Sequence, residues 1–212
     1  MTLTIDHVPF AWSDLAELTA ESERLGLAPE YGGAHDNGVT HMSVLGVGDG
    51  SYVELIAERG DGEHGFWPEH IRADAGPAAW CVRVEDIVEE CCRFIRAGTP
   101  VHGPLYGARE REDGILVEWD RAVVGTAEHE RLLPFPIEDR TPLHYRVSPS
   151  PSVADGPLTG VGQTPCSVLL ATDDLDAVAA AHPLTGPETW PDGRVAFFES
   201  ELLGRRLGVI ER

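Results

Sequence analysis

Three times along this chain a short apolar run ends at an Asp followed by Leu or Ile, and a helical pattern begins there. ThrIleAspHisValProPheAlaTrp leads to Asp14-Leu15, AlaAlaTrpCysValArgVal to Asp86-Ile87, and CysSerValLeuLeuAlaThr to Asp173-Asp174-Leu175. An Asp in that place caps the first free backbone N–H groups, and acidic side chains such as Glu17 and Glu89 suit the positive end of the helix dipole. Leu15, Leu18, Ser22 and Leu25 share one face of the first helix, which Gly26 stops. Ile87, Cys91, Phe94 and Ile95 do so in the second, which Gly98 stops, and Leu175, Val178 and Ala179 in a shorter third, ended by Pro183.

Strands follow each helix. Residues 40–47 and 51–57, joined by Gly48-Asp49-Gly50, read as a hairpin, with residues 32–38 as a loop before it. Residues 114–120 and 132–137 are the strand candidates of the second stretch, and 194–198 and 205–210 those of the third. Gly- and Glu-rich residues 58–77 and Ser/Pro/Gly-rich residues 148–165 separate the stretches. The expected organisation is a βαβββ unit over 1–58, a second similar unit over 78–147, a linker over 148–165 and a third, shorter βαββ unit over 166–212. Such repeats give an α+β architecture of mostly antiparallel sheet. There is no GxGxxG and no P-loop, so no nucleotide cofactor is expected.

The formal net charge is −20, from 36 acidic and 16 basic residues, and every basic residue is arginine. Such a surface repels nucleic acid and anionic membrane, and no apolar run is long enough to span a bilayer. A salt-rich cytoplasm fits the charge, because salt screens self-repulsion. A GC-rich genome would account for the missing lysine but not for the charge. The start, MTLTIDHVPF, lacks the basic residues of a signal peptide, so a cytoplasmic location is expected. Cys81, Cys91, Cys92 and Cys166 form no CxxC and are expected to be reduced thiols, most of them buried.

His7 lies in the first strand, and Glu54 lies in the last strand of the same unit, inside TyrValGluLeuIle. A Glu in such a strand is out of place unless something pairs it. One His and one carboxylate on a common sheet face make half of a metal site. The same spacing also allows a Glu on a solvated face and a hydrogen-bonded structural His. His35 and His41 flank a glycine-containing loop beside these strands, Arg109 and Arg111 can clamp an anion or form salt bridges, and Trp119 can stack on a ligand or fill the core. His64, His70, His129 and His182 read as surface residues.

IleAspHisVal, Asp14-Leu15, Leu25-Gly26-Leu27 and the strand from Gly50 to Ile56 together resemble the first unit of the vicinal-oxygen-chelate superfamily. GlyGlyAlaHis before Thr40, GlyAlaArgGluArgGluAspGly over 107–114, the strand ending in Trp119 and LeuProPheProIleGluAspArgThrPro over 133–142 are similar to its glyoxalase-like branch. The resemblance is clearest over residues 3–142. It implies the glyoxalase/bleomycin-resistance/dioxygenase-like fold, in which two βαβββ units curl into an open barrel around a divalent metal. His7 and Glu54 match two of its usual ligands, with Glu54 also able to move a proton. Ala79 stands where a second-unit His is expected, so a third ligand would come from His35, His41, His102, His144, Glu138 or Glu211.

The resemblance thus implies a divalent-metal enzyme (Fe, Mn, Zn or Ni) of lyase, isomerase or dioxygenase type. Its substrate would be a small oxygenated molecule bound near His35, His41, Arg109 and Trp119. The alternative is a metal-free small-molecule-binding protein of the same fold, which the missing second-unit His favours. The expected partners are a small-molecule substrate and, as a homodimer, a second copy of the chain.

Overall fold

A computed structural model of the chain describes residues 4–60, 65–126, 133–148, 158–160 and 167–212. The first unit comprises β1 (Thr4–Ala11), α1 (Leu15–Arg24), β2 (Glu30–Ala34), β3 (Thr40–Gly46) and β4 (Tyr52–Glu58). A short helix α2 (Pro68–Arg72) and the two-residue β5 (Gly76–Pro77) lead to the second unit. That unit comprises β6 (Cys81–Arg83), α3 (Ile87–Arg96), β7 (Val101–Glu110), β8 (Leu116–Val124) and β9 (Phe135–Asp139). After α4 (Leu143–Arg146) and β10 (Leu158–Gly160) come β11 (Val168–Thr172), α5 (Leu175–Ala181), β12 (Glu188–Trp190), β13 (Gly193–Phe197) and β14 (Leu207–Glu211).

The repeated Asp does what the sequence pattern implies. Asp14 accepts from the Ala16 and Glu17 N–H groups, Asp86 from Glu89 N and Asp174 from Ala177 N. A further repeat appears only in three dimensions. Glu138 at the end of β9 accepts from Ile87 N, and Glu211 at the end of β14 accepts from Leu175 N. In both units the last strand therefore helps cap the helix, so neither Glu is placed as a metal ligand.

In each unit the first and last strands lie side by side in parallel: β1 with β4, β6 with β9, β11 with β14. The remaining pairings are antiparallel, including that of β1 with β6, which joins the first two units edge to edge. One nine-stranded sheet results, eight strands in the order β2-β3-β4-β1-β6-β9-β8-β7 with β5 paired to β1 beside this path, and it curls into an open barrel. The third unit makes a separate five-stranded sheet. Its Val168, Leu170, Leu175 and Phe198 share one core with Leu15, Leu18 and Leu25 at α1 and with Phe10 and Leu55 of the large sheet.

Several expectations need correction. Residues 32–34 are not loop but the end of β2, which carries a bulge between Tyr31 and Gly33. A Cβ on Gly33 would stand 2.4 Å from the Glu110 carbonyl oxygen, so the paired glycines reflect close strand approach rather than a turn. β7 is a full strand that the sequence pattern does not mark. His182 is buried rather than surface, with Nδ1 3.0 Å from the Leu25 carbonyl oxygen. The stretch read as a linker contains β10, which pairs with β11. Otherwise that stretch, with Cys166, His64 and His129, lies mostly outside the described residues. Cys81 and Cys91 are free and buried, and Cys92 is free and half-buried. No helix among the described residues is long and apolar enough to cross a membrane.

Candidate functional site

The curl of the large sheet brings its two edge strands together at a bridge between His35, just past β2, and Arg109 of β7. Inside lies a cavity of about 560 Å³, lined by residues of both units and by the segment 65–70. That volume suits a small organic molecule. In the parallel pairing of β1 with β4, His7 lies opposite Tyr52 and Pro9 opposite Glu54. Side chains two apart share a face, so His7, Tyr52 and Glu54 all reach the cavity.

Glu54 is held between two imidazoles. His7 Nε2 is 3.5 Å from Oε2, and His35 Nε2 is 3.2 Å from Oε1. All three residues are buried. Burial alone would raise the Glu54 carboxyl. The hydrogen bond from His35 and the nearby His35, His7 and Arg109 outweigh it and hold the group below its ordinary value, so it stays ionised.

Each imidazole is oriented from behind. His7 Nδ1 is 2.6 Å from Asp6 Oδ1, and its ring stacks on Tyr52 at 4.6 Å. Asp6 is wholly buried yet also held well below the carboxylate range. Burial opposes ionisation, but the Arg146 charge and hydrogen bonds, aided by His7, prevail. An ionised Asp6 only accepts, so Nδ1 carries a proton and donates to it, which fixes the ring with Nε2 turned toward Glu54 and the cavity. His35 Nδ1 is 2.9 Å from the Thr40 hydroxyl, which can donate or accept.

Arg146 anchors the back of the site. It binds Asp6 through both terminal nitrogens at 2.5 and 2.8 Å, Asp139 at 2.7 and 3.0 Å, and the Tyr52 hydroxyl at 2.9 Å. Arg83 adds a 2.8 Å bond to Asp6. The bulge in β1 between Ile5 and His7 lets adjacent residues serve this network and the cavity.

Of the residues singled out from sequence, His7, Glu54, His35, Arg109 and Trp119 line the cavity together. Trp119 fits because Gly107 opposite lacks a side chain: a Cβ there would stand 2.6 Å from the indole nitrogen. His41 is not brought in; it is half-buried and lies edge-on to Tyr31. His102 is exposed, and His144 packs on Tyr145. Arg111 bonds the Tyr145 carbonyl and pairs with Asp113. His70, read as surface, lines the cavity. Sequence reasoning missed Asp6, Tyr52, Phe66, Trp67, Arg121, Phe135 and Arg146. Only Asp6 carried a signal, an acid beside a His inside an apolar strand. Trp67 adopts a left-handed backbone conformation with φ of 47°, unusual for a bulky residue and a conformation that clusters at functional sites.

Among the described residues the one compact trio of metal-type donors is Asp6, His7 and Cys81. It does not suit a cation: both Asp6 oxygens already accept from guanidinium groups, and burial keeps the Cys81 thiol protonated. His7, His35 and Glu54 are chemically better donors, two imidazoles and a carboxylate aimed into one cavity.

The model of the family described as "Glyoxalase-like domain" matches residues 5–161. No curated protein matches the chain. Among solved structures, a hypothetical protein from Staphylococcus aureus is similar with a TM-score of 0.58 at 13% identity, covering 100% of this chain and 87% of its own. Methylmalonyl-CoA epimerase from Mycobacterium tuberculosis follows with a TM-score of 0.46 at 17% identity, covering 64% of this chain and 86% of its own. The family match spans both halves of the large sheet and every cavity residue named above, and the chain belongs to the glyoxalase-like domain family.

Proposed function

We propose that the chain is a glyoxalase-like enzyme in which Glu54 moves a proton on a small oxygenated substrate. The observation that carries this reading is an ionised carboxylate buried in a cavity wall, with an imidazole against each oxygen. Such a carboxylate is a base kept out of water, and the flanking rings can relay its proton. His7, oriented by Asp6 behind it, aims Nε2 at the same carboxylate. Isomerase and lyase chemistries draw on this arrangement directly.

A divalent ion would be held by His7, His35 and Glu54, and Thr40 can satisfy the His35 tautomer that ligation needs. The ion would supply Lewis acidity at substrate oxygens, and dioxygenase chemistry would depend on it. A second reading, a metal-free binding protein, is favoured by the second unit, whose cavity positions Ala79, Phe135 and Ile137 are apolar.

The test uses enolisable carbonyl acids in deuterated water, with loss of the proton signal beside the carbonyl followed by NMR and metal content measured on untagged protein. Wild-type chain should catalyse exchange, and Glu54→Gln should lower the rate by about 10²–10⁴-fold. Saturable binding without exchange would select the binding reading. Exchange that survives Glu54→Gln would remove Glu54 from the role.

A further inference from the structure

The cavity holds more positive charge than its own residues need. Trp119, Arg121 and Val123 alternate on β8 and face inward. The Arg121 guanidinium lies 4.9 Å over the Phe66 ring, and among the described residues it has no hydrogen-bond partner and no ion pair, Asp36 and Glu54 acting on it only at longer range. Arg109 is anchored through its terminal nitrogens to the carbonyls of Gly32 and Arg146. Its Nε is, among the described residues, the one buried side-chain polar atom left without a partner.

Many of the chain's other arginines are matched by carboxylates. Arg24, Arg72, Arg93, Arg140, Arg194 and Arg205 all form ion pairs. Inside this one cavity, by contrast, Arg121 and the Arg109 Nε are left unmatched although the chain has 36 acidic residues. A half-dry guanidinium without an anion is unfavourable, and Glu54 is already engaged by two imidazoles. The missing anion has to arrive with the ligand. The rest of the wall is aromatic: Phe66, Trp67, Trp119 and Phe135. Flat rings complement a flat apolar body.

We propose that the ligand is a small aromatic carboxylate, its carboxylate received by Arg121 and the Arg109 Nε–H and its ring enclosed by the cavity's aromatic side chains. The inference rests on the proposed site and names its substrate class.

Trp67 and Trp119 report occupancy through their fluorescence. The probe is benzoylformate, an aromatic 2-oxo acid, compared with its neutral methyl ester and with pyruvate, which has the same acid without the ring. Benzoylformate should quench saturably and bind at least about tenfold more tightly than the ester, as a charged hydrogen bond implies, and than pyruvate, which buries no ring. Arg121→Gln should erase the preference for acid over ester, and Arg121→Lys should restore most of it. Equal binding of acid and ester, equal binding of pyruvate, an unchanged preference in Arg121→Gln, or no saturable quenching by the acid would each overturn the proposal. The acid–ester and pyruvate comparisons use the unaltered chain and stand even if a variant misfolds. Because this readout is binding, an acid preference without Glu54-dependent exchange removes the enzyme reading alone. Glu54-dependent exchange without an acid preference removes the substrate class alone.

Discussion

Glu54 and Asp6 occupy neighbouring buried strands, and each remains charged only through its partners. Both titrate lower in the folded chain than their ordinary values of 4.5 and 3.8. The stability they contribute is therefore complete above those ordinary values and is lost as pH falls through the folded ones. We expect denaturant stability to hold from neutrality down to about pH 5 and then to fall steeply. Asp6→Asn strips Arg146 and Arg83 of a shared charge, although Asp139 still pairs with Arg146. The loss at neutral pH should be about 3 kcal/mol, with a shallower decline on acidification, both read from urea titrations. An Asn variant as stable and as acid-sensitive as the parent would show that the network is not what holds the site. His7 and Glu54 were legible in sequence because a polar residue inside an apolar strand demands a partner. Arg121 was not, because a charged residue alternating along a half-exposed strand looks the same whether it faces water or a cavity. Arg146 was not, because its partner Asp6 is 140 residues away and no local pattern connects them.

Helix starts were the most legible elements, since capping is local chemistry: an Asp, a first turn with acids and an apolar stripe suffice. Asp86→Ala should lower stability by about 1 kcal/mol, the usual worth of such a cap. The loss should be modest because Glu138 still accepts from Ile87 N, so denaturant midpoints should show a larger drop when Glu138→Gln is added. A silent Asp86→Ala would mean that the strand-end Glu alone fixes the helix start. β2 and β7 escaped the sequence reading for a physical reason. β2 ends in two glycines and a bulge, and β7 contains Gly103-Pro104, Gly107 and many exposed side chains, so neither shows apolar alternation. These are the edge strands that meet at His35 and Arg109, where close backbone approach matters more than a patterned face. The elements that complete the site are thus those with the weakest pattern.

At the scale of the whole molecule, each Asp-capped helix is bracketed by a parallel pair of strands, and the curled sheet is built from the first two such stretches. How the third packs was not legible, because the apolar stripe of α1 reads the same whether sheet, helix or another unit covers it; the structure buries part of it against the third unit. Charge acts at this scale as well. Buried pairs such as Asp6 with Arg146 are little affected by salt, but the surplus of 20 negative charges is distributed over the whole chain. Those charges are closer together in the folded chain than in the unfolded one, so their repulsion favours unfolding, and screening by salt relieves it. The screening length falls from about 10 Å at 0.1 M to about 3 Å at 1 M. If screening recovers about 2–3 kcal/mol, the thermal midpoint of a chain this size should rise by roughly 4–12 °C from low salt to molar KCl. Potassium chloride is the right salt, because sulfate would also strengthen apolar burial and blur the cause. A rising midpoint with an unchanged acid transition would assign the effect to surface repulsion. A flat or falling midpoint would mean that the acidic composition does not govern stability and would remove the salt-adapted reading of this chain.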